Sequence, residues 1–398
     1  MDGKERILRA IEHKYTDKIP VDFGGTSTTG IHVMAYAKLI KYLGFNSLDV
    51  KLYDPMMQLA MVDKELIEKF NVDTVKLYRP TPKFGIPLFE SWKDGKMPDG
   101  NKMKVPVSFS PVEDSNGFNL IINGKIVAKR GKKSLYYDVV DNPLKDKSDI
   151  SDLKNVKFPD YSEDEANFIK SSAADLRKST KNAIIFSIKG SFLETPCDLR
   201  GYDGFLIDLA INKKYAKYLL DLLLEDYMAK FNSVLKLTGN NIDIIKITDD
   251  YGSQNGLFIS PETYRSIIKP RQKKLFEYIK EKSGYKILLH SCGSISPIIP
   301  DFIKIGLDAV NPVQTNARDM DPTELKNKFG KDITFWGGTI EPINMANFPL
   351  DKIEYYIKKR IEIFSKGGGF VYSYIHNFQP DVSPEKIARF FEIVNKSN

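Results

Sequence analysis

The sequence predicts an α/β protein, a (β/α)₈ (TIM) barrel with a β-rich subdomain inserted after its second strand. Three observations carry this prediction. Short apolar runs recur along the chain, each ending in a polar or glycine-bearing turn. Most of them are followed by a segment with helical spacing. One stretch, between the second and third runs, breaks that alternation with hairpin signals.

The eight runs are IPVDFG (19–24), VDTVKLY (72–78), AIIFSIKG (183–190), DIIKITDD (243–250), KILLHSCG (286–293), AVNPVQ (309–314), ITFWGG (333–338) and GFVYSYIH (369–376). Each has the length and the β-branched or aromatic content of a buried strand. Strands alternating with helices imply parallel pairing and right-handed crossovers. Eight of them suit a closed barrel better than an open sheet. The clearest helix is ISPETYRSIIKPRQKKLFEYIKEK. Ser260 is placed to cap it, Pro261 and Glu262 suit its first turn, and Pro270 predicts a kink.

The interruption covers residues 85–165. It holds the turn signals KDGK, PDGN, DSNG and INGK, with KVPVSF, FNLII, KIVAK and SLYYDVV as short strands between them. The expected organisation is one barrel domain over 1–398, with 85–165 as a β-rich cap over one mouth. A chain of 398 residues fits, since single barrels run from about 200 to over 400 residues.

Composition narrows the function classes. Hydrophobic residues make up 42% and aromatics 12%, enough for a large core and unlike a disordered chain. The net charge of +7, from 59 basic and 52 acidic side chains, is spread along the chain without a basic block, so no nucleic-acid partner is expected. Two cysteines exclude a disulfide framework and point to a reducing, cytoplasmic compartment. The charged N-terminal segment MDGKERILRAIEHK has no apolar core of a secretory signal, and no run is long enough to span a membrane.

Chemistry is expected at the C-terminal ends of the strands, where barrels of this kind carry their sites. Of four histidines, His290 and His376 fall at the ends of the fifth and eighth runs. Cys292 follows His290 by two, and on an extended strand such residues share a face. Imidazole and thiolate together suit Zn²⁺. His376 is then the natural third ligand, leaving one position open as in catalytic zinc sites. His-x-Cys alone is a weak motif. The plain alternative is a core cysteine beside a histidine satisfied by a carbonyl.

Asp249 and Asp250 end the fourth run, and only one of two adjacent strand residues faces the axis. One is a candidate for binding substrate, metal or a ligand histidine, and the other for capping a loop. Gln314 ends the sixth run as a candidate substrate hydrogen-bonder. Gly337 and Gly338 end the seventh, where glycine lets backbone approach a ligand. Gly25 and Thr26, in GGTSTTG after the first run, are candidate pocket residues. That segment lacks the G-x-G-x-x-G fingerprint, so no dinucleotide is inferred. Cys197 reads as a small buried side chain, Arg200 as a candidate anion holder, and His13 and His32 as surface or packing residues.

The segments FGGTSTTGIH, TDDYGSQNGLFISPETYRSIIKP, ILLHSCGSI, GLDAVNPVQ, FWGGTIEP and GGGFVYSYIHNFQPDVSPEKI, in this order, resemble the uroporphyrinogen decarboxylase superfamily. The resemblance covers most of the chain. It is strongest to the branch of corrinoid-dependent methyltransferases, whose zinc motif is His-x-Cys plus a later Cys. His290 and Cys292 match the first two members, and His376 stands where the third would be Cys. The resemblance implies zinc and a methyl group moved between a corrinoid (methylcobalamin) protein and a small thiol acceptor or methyl donor. It implies a corrinoid-binding partner protein. Exposed barrel helices of the expected fold can support a homodimer. If His376 is not a ligand, it acts on substrate and an aspartate completes the zinc.

The true decarboxylases are the alternative. Their polycarboxylate substrate needs arginines, which pair with carboxylates in bidentate fashion. Here the segment after the first run has none, and no arginine occurs between residues 10 and 78. A non-catalytic ligand-binding barrel is the third reading.

Overall fold

The structure, a computed structural model, describes residues 1–397. Seven parallel strands form the barrel sheet: β1 (Thr74–Leu77), β2 (Ala183–Ser187), β3 (Ile244–Thr248), β4 (Lys286–His290), β5 (Ala309–Asn311), β6 (Thr334–Trp336) and β7 (Phe370–Val371). They pair in chain order from β1 to β7. The first apolar run closes the ring between β7 and β1. It contributes a bridge from Val21 to Tyr372 rather than a ladder. Around it, Tyr372 N–H donates to Pro20 O at 2.8 Å, Asp22 N–H to Tyr372 O at 2.9 Å, and Asp73 N–H to Val21 O at 2.8 Å. Pro20 lacks an N–H, and Gly24 has φ +74°, so the chain leaves the sheet after a few residues. The fold is therefore a (β/α)₈ barrel with a minimal eighth strand.

The barrel floor is plugged. Helix α1 (Gly3–Ile11) begins at Asp2, whose carboxylate accepts from Glu5 N–H at 2.8 Å. Its Ile7, Ala10 and Ile11 pack against the inward residues Ala183, Ile185, Ile244, Leu288, Ala309, Trp336 and Val371 in one buried cluster. The strand period of two then places Lys246, His290 and Asn311 on the same inward face, one layer nearer the mouth.

Between β1 and β2, Trp92–Lys96 pairs antiparallel with Lys102–Pro106. Beyond them Val112–Glu113, Gly117–Ile122, Lys125–Gly131 and Asp138–Val139 form a four-stranded antiparallel sheet. Tyr137 N–H donates to Met56 O at 2.9 Å, and Leu144 N–H to Leu199 O at 2.8 Å, tying this region to the barrel. The helix after β3 starts at Ser260, whose hydroxyl accepts from Thr263 N–H at 3.1 Å. Ahead of Pro270 it widens into a π-helical turn over Tyr264–Ile268, the local answer to the missing proline N–H. Among the described residues, no helix is long and apolar enough to cross a membrane.

Candidate metal centre

His290 ends β4 and is the register partner of Asn311 at the end of β5. Leu288, two residues earlier, belongs to the floor cluster, so His290 points into the lumen and is 1% exposed. Cys292 follows with its Sγ 3.3 Å from His290 Nε2. His376, from the end of the eighth run, brings its ring centroid to 5.8 Å from that of His290. One ligand atom from each of the three lies within 4.8 Å of the others. His376 holds φ +68°, a left-handed conformation costly for a non-glycine residue. Its neighbour Asn377 fixes the loop: Oδ1 accepts from Gly30 N–H at 2.7 Å, and Nδ2 donates to Ser27 O at 3.0 Å.

The tautomer of His290 follows from Asn311. Asn311 Nδ2 donates to the Trp336 carbonyl at 2.9 Å, and a carbonyl can only accept. Asn311 Oδ1 is thereby turned to His290 Nδ1, with Thr28 Oγ1 donating to the same oxygen at 3.3 Å. Nδ1 carries the proton, and Nε2 presents a lone pair beside Cys292. This is how outer partners prepare histidine as a ligand.

Burial, Lys246 and His376 hold the His290 imidazole well below its usual pKa. Burial and Lys246 push His376 down to about 4. Both rings are neutral at pH 7, the form that binds a metal. Burial and the Asp250 and Glu194 carboxylates push the Cys292 thiol well up. A divalent cation supplies the positive charge that this thiolate lacks, since a coordinating thiol is deprotonated. Zinc bonds of about 2.0–2.3 Å in a tetrahedral shell set neighbouring donors about 3.5 Å apart. The residues present fit that ion.

The two aspartates divide. Asp250 Oδ1 accepts from Cys292 N–H at 2.8 Å and lies 3.8 Å from His290 Nε2. Asp249 is turned away and fully buried. It accepts from Ser191 Oγ at 2.6 Å, Phe192 N–H at 2.7 Å, Leu193 N–H at 3.1 Å, Glu194 N–H at 3.0 Å and the Tyr251 hydroxyl. It clamps the turn that starts the next helix, leaving no lone pair directed at the centre.

The other candidates sit around the centre as supports. Gln314 Oε1 accepts from Gly293 N–H at 3.0 Å, holding the turn after Cys292. Gly25 N–H donates to Asp22 at 3.0 Å, and Thr26 bonds with Thr28 and Thr29 at 3.1 and 3.0 Å. Through Thr28 this loop reaches Asn311. Gly337 and Gly338 approach protein: a Cβ would stand 2.3 Å from Pro312 O at the first and 2.8 Å from the Phe364 ring at the second. Cys197 is buried. Arg200 Nε donates to Asp208 at 2.9 Å, so its charge is already matched. His32 caps the helix Val33–Tyr42, and His13 follows the end of α1.

Sequence reasoning missed three residues. Asn311 lies in AVNPVQ, at a position set by β4–β5 register rather than by any local motif. Glu194, in SFLETPC, is brought to the mouth by the Asp249 clamp; burial and the Asp250 and Asp249 charges push its carboxyl up to about 8. Lys246 interrupts the apolar run DIIKIT, and a charge inside a buried strand was the readable signal.

Residues 136–397 match the family profile described as uroporphyrinogen decarboxylase (URO-D). The chain belongs to that family. A curated relative, "Uroporphyrinogen decarboxylase" of Prochlorococcus marinus (strain MIT 9515), is 24% identical over 285 residues, covering 68% of this chain and 73% of the relative. A solved structure, "methyltransferase from Methanosarcina mazei", superposes with a TM-score of 0.62 at 16% identity, covering 100% of this chain and 99% of the other. At that identity the likeness speaks for the fold.

Proposed function

We propose that this chain is a zinc-dependent methyltransferase acting between a corrinoid-carrying partner protein and a small thiol acceptor or methyl donor. The observation that carries the reading is the His290–Cys292–His376 cluster, with His290 Nε2 freed for a ligand by Asn311. His290, Cys292 and His376 would hold the ion, and Asp250 stands beside them. Zinc, when bound, supplies Lewis acidity that favours the thiolate form of a substrate or polarises a methyl donor.

The chain's own groups do the rest. Asn311 keeps the proton on His290 Nδ1. Asp250 anchors the Cys292 backbone, and Gln314 the turn behind it. Asp249 holds the turn that delivers Glu194 to the mouth. The name of the solved relative in the same fold is consistent with methyl transfer.

The family profile and the curated relative favour a second reading, uroporphyrinogen decarboxylation. That reaction needs no metal and leaves the three-residue cluster without a task. Two measurements separate the readings. Metal analysis of the parent, His290→Ala and Cys292→Ala is expected to give one zinc per chain, lost in both variants; undiminished zinc in both would sink the site. Incubation with methylcobalamin and small thiols is expected to demethylate the corrinoid. Turnover of uroporphyrinogen with no demethylation by any thiol would favour the decarboxylase.

A further inference from the structure

The segment GGTSTTG (24–30) carries three threonines, Thr26, Thr28 and Thr29, that are buried and bond within the protein. Thr26 Oγ1 lies 3.1 Å from Thr28 Oγ1 and 3.0 Å from Thr29 Oγ1, and Gly24 N–H donates to Thr29 O at 2.7 Å. The loop is thereby a closed turn. It reaches both histidines of the metal centre, by different routes. Thr28 donates to Asn311 Oδ1, the acceptor of His290 Nδ1–H. Gly30 N–H and Ser27 O are held by the side chain of Asn377, the residue after His376. Beside them, Phe378 N–H donates to Gly30 O at 3.0 Å and His32 N–H to Phe378 O at 2.9 Å.

One carboxylate anchors the first route at both ends. Asp22, buried, accepts from Trp336 Nε1 at 2.7 Å on one oxygen, and from Gly25 N–H at 3.0 Å and Thr74 Oγ1 at 2.6 Å on the other. Trp336 gives its own carbonyl to Asn311 Nδ2. The two groups that orient Asn311, Trp336 and the loop through Thr28, therefore both hang from Asp22. Gly25 suits this arrangement, because a Cβ there would stand 2.5 Å from Asp22 Oδ1. Burial raises the Asp22 pKa, and its bonds from Thr74, Trp336, Thr29 and Gly25 oppose the rise. The second route answers a strain. His376 holds φ +68°, a conformation that persists in a non-glycine residue only where its surroundings over-determine it. The two bonds of Asn377 to the loop do so.

We propose that Asp22, Thr28 and Asn377 are positioning residues of the metal centre, and that the loop 24–30 is one support shared by its two histidines. The inference rests on the metal-centred reading above and gives roles to three residues outside the ligand set. Through Trp336 and Thr28, Asp22 keeps Asn311 Oδ1 on His290 Nδ1–H, which reserves Nε2 for the ion. Through Asn377, the loop keeps His376 in the left-handed conformation that presents its ring to His290. A disturbance of the loop is then felt at both histidines, and a disturbance in the distant core at neither.

Two readouts separate positioning from bulk stability. Cobalt(II) affinity and d–d absorption report the ligand set. Nitrogen NMR of the imidazoles in the metal-free protein reports their tautomers, and only four histidines need labelling. His32, whose Nδ1 accepts from Met34 N–H at 3.2 Å, carries its proton on Nε2 and serves as the opposite reference to His290. Asn377→Ala is expected to lower cobalt affinity by about tenfold, and Thr28→Val, one step further from the ion, by about threefold to tenfold. Thr28→Ser keeps the hydroxyl and is expected to stay within about twofold of the parent. Asp22→Asn, with one acceptor oxygen in place of two, is expected to give His290 a mixture of tautomers. Thr28→Val, equal in shape to the parent, carries the same tautomer readout if Asp22→Asn does not fold. Ile357→Ala truncates the core in the helix Leu350–Phe364 and is expected to lower the unfolding midpoint with cobalt affinity unchanged. Unchanged cobalt affinity in Thr28→Val or in Asn377→Ala, or an equal loss in Ile357→Ala, would overturn the proposal. If the parent binds no cobalt, the metal reading fails by itself. The tautomers then decide: a His290 Nδ1–H signal that turns mixed in Thr28→Val upholds the positioning, and one that stays unmixed removes it.

Discussion

Asn311→Leu is the sharpest perturbation of the candidate centre. Leucine has similar volume but cannot accept from His290 Nδ1 or donate to the Trp336 carbonyl, now 2.9 Å away. Two effects follow. The imidazole loses the partner that fixes its proton on Nδ1, so Nε2 is no longer reserved for a ligand. Outer partners of this kind are worth about 10–100-fold in metal affinity, or roughly 1.4–2.7 kcal/mol. The Trp336 carbonyl and His290 Nδ1 also lose a buried partner, which costs the fold about 1–3 kcal/mol for each, while the Thr28 hydroxyl keeps Thr26. The two are separable. Zinc affinity is measured by competition with a chromophoric chelator, and urea unfolding of the metal-free proteins gives the stability term. The expected result is a folded variant with zinc affinity lower by about 10–100-fold. If Asn311→Leu binds zinc within twofold of the parent while Cys292→Ser does not bind, the tautomer argument is wrong.

Asp249→Ala strands the amides of Phe192, Leu193 and Glu194; at about 1–3 kcal/mol for each amide left unpaired, a loss of roughly 3 kcal/mol or more is expected in urea unfolding. His32, fully buried, is pushed down to about 4 by burial. Its folded pKa lies below its unfolded value of about 6.5, so the unfolded chain takes up the extra proton between those values. Stability is therefore full above pH 6.5 and falls as pH drops toward 4; His32→Asn, which keeps a capping side chain, should flatten that slope in unfolding measured across the range. Gly337→Ala places a Cβ 2.3 Å from Pro312 O at φ +116° and should lower the unfolding midpoint, a cost of about 1–3 kcal/mol; an unchanged midpoint would show that the β5 loop yields freely.

Much of the fold was legible because period-two apolar runs and capped helical segments are local. IPVDFG shows the limit: its composition is that of a strand, yet Pro20 and the Gly24–Gly25 turn leave it a single bridge. The hairpin signals between 85 and 165 were readable because turn chemistry is local too. His290 and Cys292 were legible for the same reason, since i and i+2 share a face on any strand.

What the sequence determined by itself was therefore the alternation of strands and helices, the inserted hairpins, and a His-x-Cys pair at a strand end. Tertiary structure decided which groups meet there. It brought His376 to His290 across the barrel closure, turned Asp250 toward the centre and Asp249 into a backbone clamp, and set Asn311 and Lys246 beside His290. These relations depend on parallel register and on the curl of the sheet, which join residues 21 to 86 positions apart, so no short window along the chain contains them.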